Sequence, residues 1–173
     1  IRADGSHVGT HRTFLANDAR YGWGKIDSPN AKMVLGNMWG GFIPIHKGAS
    51  GKPMSAMAED DPVYVTEGIE DAICVRMMRP EARIIAAISL GNIGAILLPP
   101  AARRLVIVGD RDDNQTALDQ LERSIAQQQA RGLDVRMLLP PVECNGSKIK
   151  DMNDWLRALN DIEREKRHRK GRA

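Results

Sequence analysis

Four short apolar runs, separated by segments of helical character, constrain this chain more than any other feature. They are Val63-Tyr64-Val65-Thr66, Ile84-Ile85-Ala86-Ala87-Ile88, Leu105-Val106-Ile107-Val108 and Val135-Arg136-Met137-Leu138-Leu139. Three of the four lack the alternation of a half-exposed strand and are rich in β-branched residues. Such runs suit strands buried on both faces. Strands alternating with helices predict an α/β fold: a central, mostly parallel sheet of about four strands flanked by helices.

The intervening segments carry helix signals. One helix is expected after Glu67, with Asp71 on its first turn, continuing through Met77 and stopping before Pro80. A short one is expected from Ile93 to Leu98, stopped by Pro99-Pro100. A long one is expected from Gln115 to Arg131, with Leu118, Leu121, Ile125 and Ala126 on one face and Gly132 as its C-terminal cap. A terminal helix is expected from Trp155.

Residues 1–60 differ. Short apolar runs such as Thr13-Phe14-Leu15, Met33-Val34-Leu35 and Phe42-Ile43-Pro44-Ile45 stand between glycines. They predict a small strand-rich N-terminal subdomain. His46 to Asp61 shows no periodicity and reads as a loop. The expected organisation is 1–60, an α/β domain over 61–160, and a basic tail or linker over 161–173. The opening residues form no signal peptide and include no initiator Met, so a fragment of a longer protein is expected.

Charge says less than the pI of about 9.0 suggests. Lys and Arg number 25 against 22 Asp and Glu, but Glu163 to Ala173 alone hold six cations and two Glu. The rest of the chain is about neutral, so bulk charge is no argument for a polyanionic partner. No apolar run is long enough for a membrane helix. Two cysteines, Cys74 and Cys144, fit a reducing, cytoplasmic setting rather than a disulfide framework, and the four histidines show no metal-ligand spacing.

Ligands bind at the carboxyl ends of strands in such sheets. Glu67 follows the first strand, Asp110 and Asp112 the third, and Asp151 and Asp154 come in the loop after the fourth. Residues i and i+2 of extended backbone project to the same side, so Asp110 and Asp112 would face one ion. Convergent carboxylates repel unless a cation compensates, and Mg²⁺ or Mn²⁺ suits an oxygen-only donor set. Taken alone, an Asp-x-Asp is more often a solvated turn or helix cap. Gly68 would permit close backbone approach or a positive φ.

Together, these residues resemble the Toprim (topoisomerase–primase) domain. Val63 to Asp71 matches its strand followed by Glu-Gly with an acidic residue three positions on, and Leu105 to Asp112 matches its strand followed by Asp-x-Asp. Lys150-Asp151-Met152-Asn153-Asp154-Trp155-Leu156 resembles the ending of Toprim domains in phage- and plasmid-type DNA primases. His11-Arg12-Thr13-Phe14-Leu15, Ala31 to Gly36 and Gly40-Gly41-Phe42 resemble what precedes them.

The resemblance implies that Glu67, Asp110 and Asp112 are catalytic and bind Mg²⁺ or Mn²⁺, with Asp71, Asp151 and Asp154 as supporting acids. Asp154 could instead cap the last helix, and Asp113 or Asn114 the helix at Gln115. Arg12, Lys32, Arg111 and Lys150 would contact nucleic acid. Arg111 is bulky for its place between the two aspartates and could contact phosphate or pair with an acid. Trp23, Trp39 and Tyr21 could stack bases, whereas Trp155 and Cys74 read as core. The implied function is primer synthesis on a single-stranded DNA template from nucleoside triphosphates, beside zinc-binding or helicase domains of a longer replication protein. A Toprim nuclease and a non-catalytic nucleic-acid-binding module are the alternatives. A topoisomerase fits less well, since it needs a nucleophilic Tyr and only Tyr21 and Tyr64 are present.

Overall fold

The fold comes from a computed structural model, which describes residues 1–19, 22–59, 61–111 and 113–170. Five strands form the main sheet: β5 (Ile43–Lys47), β6 (Val63–Thr66), β7 (Arg83–Ala86), β8 (Arg104–Val108) and β9 (Asp134–Leu138), counted after β1 to β4 of the N-terminal region. Their order is β5-β7-β6-β8-β9. The four strands read from the sequence pair in parallel, with Thr66 level with both Ala86 and Val108.

The fifth strand is the departure. β5, read from the sequence with the N-terminal strands, runs antiparallel along β7 and forms one edge of this sheet. Its register shifts between Pro44 and His46. Proline lacks an N–H to donate, which suits it to an edge strand.

Helices cover both faces. On one side lie α1 (Ile69–Met78) and α4 (Met152–Lys170), packed over Ile84, Ala86 and Val108. On the other lie α2 (Leu90–Ala95) and α3 (Gln115–Ala130), over Val65, Ile85 and Ile107. Each apolar strand feeds both cores, which is why its sequence does not alternate. No described helix is long and apolar enough to cross a membrane.

The segment after β5 lacks periodicity because a buried side chain pins it. Arg83 is 2% exposed; its Nε donates to Asp61 Oδ2 at 3.0 Å and its Nη1 to the Lys52 carbonyl at 3.0 Å. Met54 and Met57 enter the core from this segment.

The N-terminal strands form two small ribbons. β1 (Gly9–Thr13) pairs with β4 (Lys32–Gly36), and β2 (Leu15–Asp18) with β3 (Gly22–Lys25). Every residue of β2, β3 and β4 is exposed. Asn92, buried in α2, ties this region to the body: Oδ1 accepts from Gly40 N–H at 2.7 Å, and Nδ2 donates to the Gly41 and Ala87 carbonyls at 2.8 and 2.7 Å.

α4 begins three residues before the expected Trp155 and runs through Lys170, taking in most of the expected tail. Asp151 caps it, accepting from Asp154 N–H at 2.8 Å, while Asp154 Oδ2 accepts from Lys150 N–H at 3.2 Å. This reciprocal pair resembles a capping box. Further along, the i,i+4 pair Glu163–Arg167 at 3.6 Å supports the exposed turns.

Candidate active site

The loops after β6 and β8 leave in opposite directions, β6 leading through α1 to β7 on one side and β8 through α3 to β9 on the other. The crevice between two such strand ends is where open α/β sheets bind ligands. Glu67 and Asp110 stand at these ends and line a pocket shared with Leu90, Leu118 and Leu121.

Local contacts fix the Glu67 turn. Buried Thr66 donates its hydroxyl to the Gly68 carbonyl at 2.7 Å, and the Glu67 carbonyl accepts from Ile88 N–H at 2.8 Å. Gly68 caps α1 with φ −88° and so does not use the positive φ that glycine would permit. The left-handed residue is instead Ile88, at φ 73°, on the neighbouring strand end. A β-branched residue in that region is strained.

Asp71 lies in the first turn of α1. Burial, then the charges of Asp110 and Asp151, push its carboxyl up to about 6, against the pull of the Asn153 and Met152 backbone amides. Its Oδ1 is buried without a hydrogen-bond partner. Asp71, Asp110 and Asp151 therefore share one electrostatic field. Asp112 lies outside the described residues. Among the described residues, no three His, Cys, Asp or Glu side chains are grouped so as to hold a metal ion.

Arg111 is built into the loops around the site. Its backbone N–H donates to the Lys150 carbonyl at 2.8 Å and its Nε to the Pro140 carbonyl at 2.7 Å. Among the described residues it forms no ion pair with an acid. Asn114 caps α3, its Oδ1 accepting from Thr116 and Ala117 N–H at 2.9 and 3.3 Å. Asp151 caps α4 and Asp154 supports that cap, so both aspartates hold backbone as well as charge.

The cations divide. Lys32 reaches from β4 to Glu70 on α1, with Nζ and Oε1 2.6 Å apart. Burial acts to raise Glu70, but the hydrogen bond and charge of Lys32 hold its carboxyl below the usual value. Burial first, then Lys32, lower the neighbouring His11. Arg12 pairs with Met33 and Thr13 with Lys32, so Arg12 and Lys32 occupy opposite faces of the ribbon. Arg12 stands over the Phe14 ring, 5.8 Å from its centroid. Lys150 is exposed.

Trp23 and Trp39 are 72% and 62% exposed; Tyr21 lies outside the described residues. Trp155 packs against the α1–α4 core. Cys74 is core as expected: burial, with Asp71 next, pushes its thiol up to about 11, so it is no ready nucleophile. Sequence reasoning missed Ile88, Glu70 and the bonding of Arg111. Only Glu70, one turn beyond Glu67, left a readable signal.

The donor chemistry at this edge would suit a divalent cation. The predicted ligands are all carboxylate oxygens, as hard cations require. The orphaned Asp71 Oδ1 and its raised carboxyl mark surplus negative charge that a cation would relieve.

The Toprim domain profile matches residues 62–161, more than half of the chain. No curated protein matches the sequence. Among solved structures, a crystal structure of a DNA primase domain from Pseudomonas aeruginosa superposes with a TM-score of 0.52 at 18% identity. The match covers 84% of this chain and 46% of that one, so the chain spans under half of its length.

Proposed function

Because the chain belongs to the Toprim domain family, whose members generally bind divalent metal ions, we propose that it is the catalytic fragment of a DNA primase, extending primers on single-stranded DNA by metal-dependent nucleotidyl transfer. One observation carries the reading: Glu67 and Asp110 line one pocket at the divergent ends of β6 and β8, in a fold shared with a DNA primase domain.

Glu67, Asp110 and Asp112 would hold the Mg²⁺ or Mn²⁺. When bound, such an ion supplies charge neutralisation to triphosphate oxygens and activation of a 3′-hydroxyl. The protein's own residues set the stage. The Thr66–Gly68 hydrogen bond and the Ile88 amide fix the backbone on both sides of the Glu67 side chain. Asp71 and Asp151 add negative charge to the field around Asp110 and would strengthen its hold on a cation. The first two turns of α3 line the same pocket through Ala117, Leu118 and Leu121.

Nucleoside triphosphates and template DNA are the proposed partners, with Arg12, Lys32 and Lys150 contacting phosphates and the exposed Trp23 and Trp39 stacking unpaired bases. The proposed setting is the cytoplasm, within a longer replication protein carrying helicase or zinc-binding domains.

The test is primer synthesis on a single-stranded template with nucleoside triphosphates and Mg²⁺ or Mn²⁺. Wild type should yield product. Glu67→Gln and Asp110→Asn should each lose at least about a hundredfold, the usual cost of removing one preorganised electrostatic group. Cation-dependent shortening of a labelled template, without synthesis, would replace the transferase with a nuclease. Template binding with neither reaction would leave a binding module.

A further inference from the structure

We infer that Arg111 is a positioning residue that locks the hairpin between β9 and α4 to the carboxylate edge. The inference rests on the proposed metal-dependent reading of that edge.

The chain leaves β9 at Pro140, makes an excursion, and re-enters the fold at Lys150. Within it, β10 (Glu143–Cys144) pairs with β11 (Ser147–Lys148), and Ile149 N–H donates to the Val142 carbonyl at 3.0 Å. The tip is Asn145-Gly146, with φ of 52° and 75°, as a two-residue type I′ turn requires. Ile149, 1% exposed, anchors one side.

Pro140 and Lys150 are the two feet of this excursion, and Arg111 holds both. Its side chain bonds the Pro140 carbonyl and its amide the Lys150 carbonyl. On either side of Arg111 in the chain stand Asp110 and Asp112. The Lys150 foot continues into Asp151 and its cap, which shares a field with Asp71 and Asp110. A planar guanidinium fixes orientation at such a bond better than the flexible, single-ended ammonium of Lys. Loosening Arg111 would therefore let the strand-end carboxylates drift relative to the α4 cap without removing any of them. The Pro140 bond also gives this bulky side chain a purpose between the aspartates.

The experiment is Mn²⁺ binding to the full chain by calorimetry, in wild type, Arg111→Lys, Gly146→Val and the double variant. Gly146→Val strains the tip through its positive φ while touching nothing near the edge. Arg111→Lys should weaken Mn²⁺ binding about tenfold, the low end for partners that orient metal ligands. Gly146→Val should weaken binding in the wild-type background and add little in the Arg111→Lys background, because the side-chain half of the lock is already lost while the main-chain bond to Lys150 is common to both. Wild-type affinity in Arg111→Lys, or losses that simply add, would overturn the inference and leave the metal reading standing. A wild-type chain that binds no Mn²⁺ would overturn both. Should Arg111→Lys fail to fold, Gly146→Val alone decides, since unchanged affinity there breaks the link.

Discussion

The carboxyl edge of the main sheet and the N-terminal ribbons present opposite solutions to holding functional side chains. At the edge, Glu67 and Asp110 extend strands whose inner residues are almost fully buried: Val63, Val65, Thr66, Leu105, Ile107 and Val108 are each at most 4% exposed. In the ribbons, every residue of β2, β3 and β4 is exposed. They reach the body through discrete polar bonds, Lys32 to Glu70 and Asn92 to Gly40 and Gly41. Chemistry that depends on fractions of an ångström belongs on the first kind of support. A surface that follows a flexible strand can tolerate the second.

The largest expected effect lies in the body. Asp61→Ala strands the charge of buried Arg83 and should cost about 3 kcal/mol in urea denaturation, as removing one partner of a buried pair does. A cost near zero would mean that the segment before β6 is held like the ribbons. Next, Asn92→Ala leaves the buried Gly41 and Ala87 carbonyls unsatisfied and should cost about 2 kcal/mol. It should also raise proteolysis within residues 1–42, which a purely local defect in α2 would not do.

Asp71→Asn sharpens the contrast by pH. The folded protein holds the Asp71 proton up to about 6, above its ordinary value of 3.8, so wild-type stability falls as pH rises through that interval. Without divalent cation, the variant should melt higher than wild type at pH 8 and alongside it below about pH 4. Added Mn²⁺ should narrow the gap at pH 8 by stabilising wild type more. The smallest effect on stability belongs to the ribbons: Trp23→Ala should change it by no more than about 0.5 kcal/mol, yet weaken single-stranded DNA binding by about 1 kcal/mol. A large loss of stability would show that Trp23 packs in solution.

The strands of the body were legible because burial on both faces leaves an unbroken apolar run, and Glu67 and Asp110 were legible because strand ends place them. β5 was harder to place: Phe42 to Ile45 looks like its N-terminal neighbours, and nothing local says that its partner is β7, some forty residues on. The start of α4 was set late because Met152 and Asn153 carry no helical pattern; the cap depends on Asp151 and Asp154 bonding backbone. The setting of Arg111 could not be read at all. Its acceptors are main-chain carbonyls, which every residue carries, so no residue type announces them.

The strands at the two margins of the sheet have a consequence for association. An open strand offers unpaired N–H and C=O groups on which another chain can build, and four parallel hydrophobic strands would make a strong template. On one margin, β5 interposes Pro44 and a break in register. On the other, β9 carries the exposed pair Asp134 and Arg136, 3.0 Å apart. Both margins so resist intermolecular strand addition, and the hydrophobic centre can stay concentrated without seeding fibres.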